Sequence, residues 1–485
     1  MAPQVFNRIV SYEFFVGKFI NPIVSAVEQG FVSSKNLNAK KLYLAINPDK
    51  LKKVHESFNE IPRPWQSAYL SNENFKNVPV EIKLRGENAW HWSGKKKSLW
   101  IKTRGTYLFE DWKRMSLQNM KYELYFVDLL FYKLTREFGG LAPDDVFTHL
   151  YINRKHNGLY HELIDFDDHF LRKSNFGSGS IYFYDNLDSK PNDFFNDVLW
   201  KKRSSSPNEK IEDKSKLRKL LSITKNDCSK LDSIVDIEKY AVTYSLLDFF
   251  GSHHLDYTHN HRLVYSDASQ KFSPISWDLF HYDMKKSFDI SYNALSKCLL
   301  EYPRFRETRY RIFNKIVQKL QTDFAKQYHE KFYAKYKSDF IFDRNRGSHY
   351  NYSYFSSKIR EKQFLKDVKT RTRQASLYLK SNPKIKCSFQ NNKFTIINDD
   401  YRIFEIGQKG SKVQYTIGSK WEEIGDAKVS ISKKSSYFQF EADHKLEQQT
   451  IVANLEYGDS FELKCENIPT PDISKYKESI ILRSK

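Results

Sequence analysis

A change of periodicity near residue 382 divides this chain of 485 residues into two regions of different fold. Between Tyr302 and Leu379, apolar residues recur at helical spacing, and one stripe begins at Ile312 and continues at every fourth residue. Beyond Pro383, short alternating runs separated by Gly, Asp and Lys turns are typical of a small antiparallel β-domain, which we expect to be a sandwich. The runs predicted as strands are Phe394–Ile397, Ile403–Ile406, Val413–Ile417, Val429–Ile431, Tyr437–Phe440, Ile451–Leu455 and Phe461–Leu463.

The chain before residue 302 combines strands and helices, so the whole protein is predicted to be α+β. Gly139-Gly140 is a C-terminal stop for the helix before it, and Asn157-Gly158 is a strong hairpin-turn signal. The polar segment Lys201–Lys219, which contains Pro207, is predicted to be an exposed loop. The predicted strands are Lys41–Ile46, Val78–Leu84, Ser98–Lys102, Val146–Ile152, Leu159–Ile164, Leu263–Tyr265 and Phe272–Ile275, and the predicted helices are Asp49–Phe58, Tyr122–Phe138 and Ile237–Phe250.

The formal net charge of +20 indicates anionic partners, such as a nucleotide, an acidic or phosphorylated protein, an acidic polysaccharide or a membrane surface. Lys and Arg are spread along the whole chain instead of being gathered on one helix or patch, which disfavours nucleic acid as the partner. Aromatic residues make up 16% of the chain, and this predicts a folded protein. The four cysteines lie far apart without a CxxC pair, so we expect buried free thiols and neither a zinc site nor a disulfide framework.

The N-terminal segment Val5–Val27 is rich in apolar residues, but Arg8, Glu13 and Lys18 interrupt it before it reaches membrane-spanning length. Glu13 also conflicts with the uninterrupted apolar core of a signal peptide. We therefore predict an amphipathic helix that packs on the body of the protein or rests at a membrane surface. The expected location is cytoplasmic or peripherally membrane-associated.

The stretch from Asp256 to Asp278 is the strongest candidate for chemistry. Asp256 and Asn260 share one short predicted loop after a helix, and Asp278 follows the next pair of short strands. Phosphoryl transfer to a hydroxyl needs a carboxylate that accepts the proton and oxygen ligands that hold magnesium on the phosphates, and protein kinases place them in this order. Taken singly, each residue is better explained as a turn former or a helix cap. Their ordered combination favours a metal-and-base site.

The histidines of the same region, His253, His254, His259 and His261, raise the possibility of a zinc site. Zinc sites normally add a ligand from another element, and none is evident here. We expect most of these side chains to be packed or hydrogen-bonded.

A second candidate, Arg85–Ser98, joins two predicted strands through a turn that contains Gly86. A glycine turn followed by lysines can cover phosphates, although this one is neither GxGxxG nor a P-loop. Lys96 and Lys97 face opposite ways in an extended strand, so we expect one of them to enter a cleft and the other to be solvated. Three consecutive lysines are otherwise typical of a solvated turn.

These two candidates and the region between them resemble the CotH kinase family, named for spore coat protein H, over roughly residues 80–283. The most specific part is Arg85-Gly86-Glu87-Asn88-Ala89-Trp90-His91-Trp92, followed by Lys96-Lys97-Ser98, which is similar to bacterial members that carry RGDNPWHW and KKSWRIK. Shorter matches follow in the same order: Leu141-Ala142-Pro143, Tyr151-Ile152-Asn153, Gly158-Leu159-Tyr160 with Glu162, Phe170-Leu171-Arg172, Ile181-Tyr182, Asp256 with His259-Asn260, and Trp277-Asp278.

The resemblance implies an atypical bilobal protein-kinase-like fold, with a β-rich N-lobe and a helical C-lobe. It further implies the use of ATP and Mg²⁺ or Mn²⁺ to phosphorylate Ser or Thr of a protein, and the net charge would suit an acidic substrate. It assigns Asp256 as the catalytic base and Asn260 and Asp278 as metal ligands. The nucleotide-binding residues that it implies are Arg85, Gly86, Lys96 or Lys97, Glu162 beside the nucleotide, and Glu123, the last from its helix position alone.

The domains that we predict are an N-terminal extension (1–60), a CotH-like kinase domain (61–380) and the C-terminal β-domain (384–485).

The chain departs from the spore-coat members, which read Pro-Trp-Asp-x-Asp, because Ser276 and Phe280 replace the Pro and the second Asp. If that carboxylate holds a metal, Asp283 must substitute or activity is impaired. Two alternatives stay open: a catalytically inactive scaffold or surface protein, and a polysaccharide-binding protein in which Trp90, His91 and Trp92 stack on sugars.

Overall fold

The computed structural model describes residues 36–86, 91–119, 125–186, 190–204, 209–256, 260–279, 283–343 and 354–381, except positions 93, 145 and 292. It also describes positions 27, 30, 32 and 345 and the C-terminal strands named below. The helix predicted for Val5–Val27, apart from its last residue, lies outside the described residues, as do Glu123, His259 and Phe280. None of the described helices has both the length and the apolar character needed to cross a membrane.

Seven strands form a closed barrel. They are β1 (Lys40–Ala45), β2 (Gln66–Ser71), β3 (Val78–Leu84), β4 (Leu99–Thr103), β5 (Arg114–Gln118), β6 (Val146–Ile152) and β7 (Lys155–Ile164). Their order is β1-β2-β3-β4-β5-β7-β6, and neighbours are antiparallel except β1 and β6, which close the barrel in parallel. Alternation along the strands places Leu70, Ile82 and Ile101 in the apolar interior. Because β1 belongs to the predicted extension 1–60, that extension shares the barrel with the predicted domain 61–380.

Helices build the largest apolar core of the protein. The helices are α1 (Pro48–Glu56), α2 (Tyr125–Glu137), α3 (Asp168–Lys173), α4 (Ser215–Asn226), α5 (Ile237–Phe250), α6 (Ala294–Glu301), α7 (Pro303–Gln321), α8 (Phe324–Phe342) and α9 (Tyr354–Lys380). α5 is buried at nearly every position, as expected for a helix that is apolar on all sides. It ends at Gly251, which takes the left-handed conformation with φ 63°. The helical regions predicted from residue 49 onward are confirmed where the structure describes them, with small differences at their ends.

A second sheet has four strands, in the order β11-β10-β8-β9. These strands are β8 (Gly179–Tyr184), β9 (Lys201–Ser204), β10 (His261–Ser266) and β11 (Phe272–Pro274). The exposed loop predicted for Lys201–Lys219 is wrong, because this segment supplies β9 and the start of α4. The Lys202 ammonium is buried and donates to the Glu209 carboxylate at 2.8 Å and to two backbone carbonyls. A segment that looks solvated in sequence therefore satisfies its charges within the fold.

The turn between β6 and β7 lies four residues earlier than predicted. Asn153 and Arg154 both take left-handed conformations, with φ 47° and 69°, and Ile152 stands opposite Lys155. This is the backbone of a two-residue hairpin turn. Gly158 lies instead within β7, with φ 139°, and a Cβ there would lie 2.5 Å from the Lys96 side chain. The glycine is thus explained by close approach of another side chain and not by a turn.

Cys228 and Cys298 form a disulfide, with their Cα atoms 5.3 Å apart. The bond joins a short 3₁₀ segment after α4 to helix α6. The expectation of free thiols is therefore wrong for these two residues, which lie 70 positions apart in sequence. The side chains of Cys387 and Cys465 lie outside the described part of the chain.

The C-terminal region is built of antiparallel strands. They are β12 (Ile385–Gln390), β13 (Lys393–Asn398), β14 (Phe404–Gly407), β15 (Val413–Ile417), β16 (Lys420–Ile424), β17 (Lys428–Ile431), β18 (Ser436–Glu441), β19 (Thr450–Asn454), β20 (Ser460–Leu463) and β21 (Ile480–Arg483). They form sheets of order β12-β13-β18, β20-β19-β14-β17-β21 and β15-β16. Every strand predicted here is found, and the overall mixed α+β class is confirmed. Packing of these sheets into a sandwich stays a prediction.

Candidate active site

The outer face of the barrel strands carries two arginines around one indole. Side chains on this face alternate with those that fill the barrel, so Arg85 at the end of β3, Trp100 on β4 and Arg114 on β5 all point outward. The Arg85 guanidinium lies 5.6 Å from the centre of the Trp100 ring, and that of Arg114 lies 5.1 Å from it. These cation–π contacts fix both cations on the side of the barrel that faces the second sheet.

Arg85 reaches across to the segment that follows β11. Its guanidinium is buried and lies 5.9 Å from the ring of Trp277. Burial lowers the pKa of Arg85, and the charges of Asp278 and Asp165 oppose this effect. Within the described part of the chain, no acceptor reaches its Nε. A buried guanidinium with a spare donor is suited to bind an anion.

His254 contacts two of the three residues of the predicted metal-and-base site, and His261 contacts the third. Its ring Nδ1 lies 3.1 Å from the backbone oxygen of Asp278 and 3.6 Å from its carboxylate Oδ1. Asn260 donates from Nδ2 to the backbone oxygen of His254 at 3.2 Å. The next residue, His261, hydrogen-bonds through Nε2 to the backbone oxygen of Asp256 at 2.7 Å. The loop after α5 and the residue after β11 are therefore brought together, as the sequence order predicts.

The same histidine controls the charge of Asp278. Burial alone would raise the pKa of this carboxyl, but the hydrogen bond and charge of His254, with Arg85 and His91, outweigh it and lower the pKa to about 2. Burial lowers the pKa of His254, and Asp278 reverses this so that the net shift is upward. The Asp278 side chain keeps 37% of its exposure. It is thus an ionised carboxylate that a ligand can reach.

Helix α2 contacts the same segment through two residues that the sequence did not single out. The backbone N–H of Asp278 donates to the Tyr132 hydroxyl, and that of Leu279 donates to Asp128 Oδ1, both at 3.2 Å. Asp128 and Tyr132 are four residues apart and share one face of α2. This spacing is the signal that could have identified them. Glu123, the predicted helical carboxylate, lies before the described part of α2.

The chain that follows Asp278 is anchored by buried arginines. Arg309 of α7 pairs with Asp248 of α5 at 2.6 Å and with Asp289. The backbone N–H of Asp289 also donates to the Asp248 carboxylate at 3.1 Å. Arg371 of α9 donates to the backbone oxygens of Asp248 and Lys286, at 2.8 and 2.6 Å. These contacts hold the residues on the C-terminal side of Asp278 against the end of α5.

The glycine turn folds back on itself beside Arg85. Gly86 has φ 85°, and the His91 ring occupies the space that a Cβ would fill. His91 Nδ1 lies 3.1 Å from the Ser98 hydroxyl and 3.4 Å from Arg85 Nη1. Trp92 stacks on Phe58, with ring centres 5.0 Å apart, so the indole of Trp92 packs against another side chain of the protein.

Both predicted phosphate-binding lysines bind groups of the protein itself. Lys96 is 1% exposed, and its Nζ donates to Asp343 Oδ2 at 2.6 Å and to the backbone oxygen of Leu159 at 2.8 Å. Lys97 is half-buried and donates to backbone oxygens of its own turn, those of Trp92 and Gly94. The cation of this turn that lies beside Asp278 is Arg85, and a phosphate contact from either lysine stays a prediction.

Glu162 lies on the other side of β7 from this cluster. It stands opposite Leu117, which fills the barrel interior, and it binds Lys40 at 2.6 Å and the Thr148 hydroxyl at 2.7 Å. It also lines a cavity of about 520 Å³ between β7, α3 and the loop after α2. The structure therefore does not bring Glu162 together with Arg85 and Asp278, and its contact with nucleotide stays a prediction.

Three arginines on the strands around this cluster are not singled out by the sequence. Arg114 binds the Asp165 carboxylate at 2.5 Å, and Arg203 of β9 lies 3.6 Å from the same carboxylate. Arg262 of β10 pairs with Asp185 at 2.8 Å. The guanidinium groups of Arg203 and Arg262 lie over the ring of Phe183, at 4.3 and 5.0 Å. Scattered single arginines give no signal in sequence, because only the pairing of strands brings them together.

The family described as CotH kinase protein matches residues 82–375. Inner spore coat protein H of Bacillus subtilis (strain 168) is similar to it, with 24% identity over 320 residues that cover 59% of this chain and 84% of the relative. The matched range contains Arg85, Asp256, Asn260 and Asp278. Because the family match covers more than half of the chain, this chain belongs to the CotH kinase family.

Proposed function

We propose that this chain is a phosphotransferase that uses Mg²⁺ and ATP to phosphorylate Ser or Thr of a protein. The observation that carries the proposal is the position of Arg85. Its buried guanidinium stands beside the ionised carboxylate of Asp278, and its Nε has no acceptor among the described residues. A guanidinium beside an oxygen ligand for a divalent cation suits a metal-bound phosphate.

The order of elements along the chain supports a bilobal, kinase-like arrangement. A glycine turn joins β3 to β4, and α2 follows β5. The Asp256–Asn260 loop follows the long helix α5, and Asp278 comes after the strand pair β10 and β11. Protein kinases carry their phosphate-covering loop, their catalytic loop and their metal-binding Asp in this order. The C-terminal strands would then form a separate sandwich that positions the enzyme or its substrate.

The side chains fit Mg²⁺ or Mn²⁺ when phosphates complete the coordination. No cluster of three or more His, Cys, Asp or Glu side chains occurs among the residues that the structure describes. Magnesium does not need one, since it commonly takes one or two carboxylates from the protein and keeps waters and phosphate oxygens as its other ligands. Asp278 is ionised, and Asn260 uses Nδ2 on the protein, which leaves Oδ1 for a cation. The bound ion would neutralise charge on the transferred phosphate.

The remaining groups would orient the reaction. Arg85 would hold phosphate oxygens from the barrel side, opposite Asp278. Asp256 would accept the proton of the attacking hydroxyl, and its main chain is fixed by the hydrogen bond from His261. His254 would keep Asp278 both ionised and oriented, and α2 would hold the backbone of Asp278 through Tyr132.

The test is Mg²⁺- and Mn²⁺-dependent ATP turnover and autophosphorylation, compared between the wild type and Asp278→Asn. We expect the substitution to reduce turnover by roughly 100-fold or more, because it removes a group that acts on developing charge. Asp144→Asn is the control, since Asp144 makes a surface ion pair with Lys173. Undiminished turnover by a folded Asp278→Asn protein would remove the assignment.

The alternative of a catalytically inactive scaffold rests on Phe280, which replaces the second Asp of the spore-coat motif. Asp283, the possible substitute, uses Oδ1 to accept the backbone N–H of Lys285. A scaffold would bind nucleotide without magnesium dependence or not at all. Calorimetric titration of ATP with and without Mg²⁺ separates this alternative from the enzyme.

A further inference from the structure

Lys83, on the outer face of the barrel near Arg85, has no anionic partner among the described residues. Lys83 is on the outer face of β3, two residues before Arg85, and its Nζ lies 4.7 Å from the ring centre of Trp65. Lys102 lies 4.4 Å from the same ring but has Glu81 as an ion-pair partner at 2.7 Å. Across the described parts of the chain, no carboxylate pairs with Lys83. The two lysines share one indole and differ in whether their charge is balanced.

The charges around Lys83 are unfavourable for it. Burial lowers the pKa of Lys83, and the charged groups that act on it, led by Arg114 and Arg203, are cations that lower the pKa further. Asp165 is shared between Arg114 and Arg203, and Asp185 acts on Arg203 while it pairs with Arg262. Two carboxylates therefore face four cations, which are Lys83, Arg114, Arg203 and Arg262. A half-buried excess of positive charge is stabilised when a ligand supplies the missing anion.

The surplus positive charge lies apart from the phosphate site proposed at Asp278. Arg203 lies on the edge strand β9, three strands away from β11, which leads into Asp278. Three strand spacings correspond to roughly 14 Å. The Arg203 side chain is 40% exposed, so a macromolecule can reach it. Lys83 and Arg85 are two residues apart on an extended strand, a distance of roughly 7 Å that an extended peptide covers in two residues.

We propose that Lys83 and Arg203 bind an acidic side chain of the acceptor polypeptide, within about three positions of the phosphorylated Ser or Thr. This inference rests on the proposed function for its biological meaning, and it specifies the substrate class. The recognised chemistry is an anionic oxygen group, supplied by Asp or Glu or by a Ser that is already phosphorylated. Lysine supplies a point charge, and arginine can bind carboxylate or phosphate through two parallel hydrogen bonds.

The test is equilibrium binding, which does not require activity. Fluorescent peptides with a central Ser carry Asn, Asp or phosphoserine on both sides of it, and their binding is followed by fluorescence anisotropy. We expect the acidic and phosphorylated peptides to bind the wild type at least about tenfold more tightly than the Asn peptide, as one charge-assisted contact would give. Comparison of the Asp peptide with the phosphoserine peptide shows whether a carboxylate or a phosphate is preferred. Saturating Mg²⁺ and ATP should leave the peptides bound.

The variants Lys83→Met and Arg203→Gln should each bring the acidic peptide to within about threefold of the Asn peptide. Lys102→Met is the matched control, because Lys102 lies over the same Trp65 ring with its charge already balanced. It should keep the wild-type preference. The inference is overturned if the wild type does not discriminate, if Lys102→Met loses the preference as Lys83→Met does, or if ATP displaces the peptide. A Lys83-dependent preference without Asp278-dependent ATP turnover would instead support this site and contradict the proposed function.

Discussion

Lys96 and Asp343 form a buried ion pair between the glycine turn and the end of α8, with Nζ 2.6 Å from Oδ2. Burial would raise the pKa of Asp343, but the charge and hydrogen bond of Lys96 hold it below its ordinary value. The Lys96 backbone oxygen also accepts a hydrogen bond from Asn119 at 2.6 Å. The pair therefore ties the turn that carries Arg85 to a helix that lies far from it in sequence.

Lys96→Met should destabilise the protein strongly, by about 3–5 kcal/mol, because it leaves the Asp343 carboxylate buried without its partner. The double variant Lys96→Met with Asp343→Leu should recover most of that loss, since it removes both charges. Unfolding in denaturant measures both free energies. Lys97→Met is the control, because Lys97 reaches only backbone oxygens of its own turn. A stable Lys96→Met variant would contradict the anchoring role and favour the phosphate contact instead.

Gly251→Ala should cost more stability than Gly105→Ala. Both glycines are left-handed, with φ 63° and 61°, so both substitutions carry the backbone penalty of about 1–2 kcal/mol. At Gly251 the new Cβ would also overlap the backbone oxygen of Asp283, whereas at Gly105 the space is open. The extra cost should be about 1–3 kcal/mol, as for other overpacked sites. Equal losses in thermal or denaturant unfolding would show that Asp283 does not press on the end of α5.

His161 should make the protein less stable as pH falls from about 6.5 to about 4. Burial lowers the pKa of this histidine to about 4, while the unfolded chain binds the proton at about 6.5. Between these two pH values the unfolded state binds more protons than the folded state. The free energy of unfolding therefore decreases by roughly 3 kcal/mol as the pH is lowered from about 6.5 to about 4. The variant His161→Gln should show a correspondingly flatter pH dependence in denaturant unfolding. An unchanged slope would assign the acid sensitivity to other groups.

His254→Gln should raise the pKa of Asp278 from about 2 toward its ordinary value, although Arg85 and His91 remain to hold part of the shift. In the wild type, the stabilisation from ionised Asp278 is present above the unfolded pKa of about 3.9 and is lost as pH falls toward 2. The pKa of His254 is raised, so its effect on stability depends on pH in the opposite direction. The stabilisation from protonated His254 is lost as the pH rises through the raised pKa of this histidine. NMR titration of the Asp carboxyl carbons in the metal-free protein measures the change. A pKa that stays at about 2 would mean that His254 does not control this carboxylate.

The sequence predicted the parts of the site that depend on order along the chain. Asp256, Asn260 and Asp278 could be recognised because a loop, a strand pair and a carboxylate follow one another within a short stretch. His254 was expected only to pack or hydrogen-bond, although it contacts two of these residues. The position of a histidine two residues before a predicted base does not indicate which groups its ring will contact.

Contacts between residues that lie far apart in the sequence could not be predicted. Lys96 and Asp343 are 247 positions apart, and nothing near either residue indicates the other. Their proximity also explains why Gly158, which reads as a turn residue in sequence, lies inside a strand. The cluster of Arg114 and Arg203 depends on which strands become neighbours, and alternation along single strands does not show this.

The parallel pairing of β1 with β6 determines where an independently folding unit of this protein can begin. A shortened protein that starts at residue 61 would lack β1 and would leave β2 and β6 with unpaired backbone edges. Unpaired edges invite pairing with other chains and hence aggregation. The smallest version of this protein that can be produced in soluble form should therefore begin before Lys40, well upstream of the first residue matched by the family.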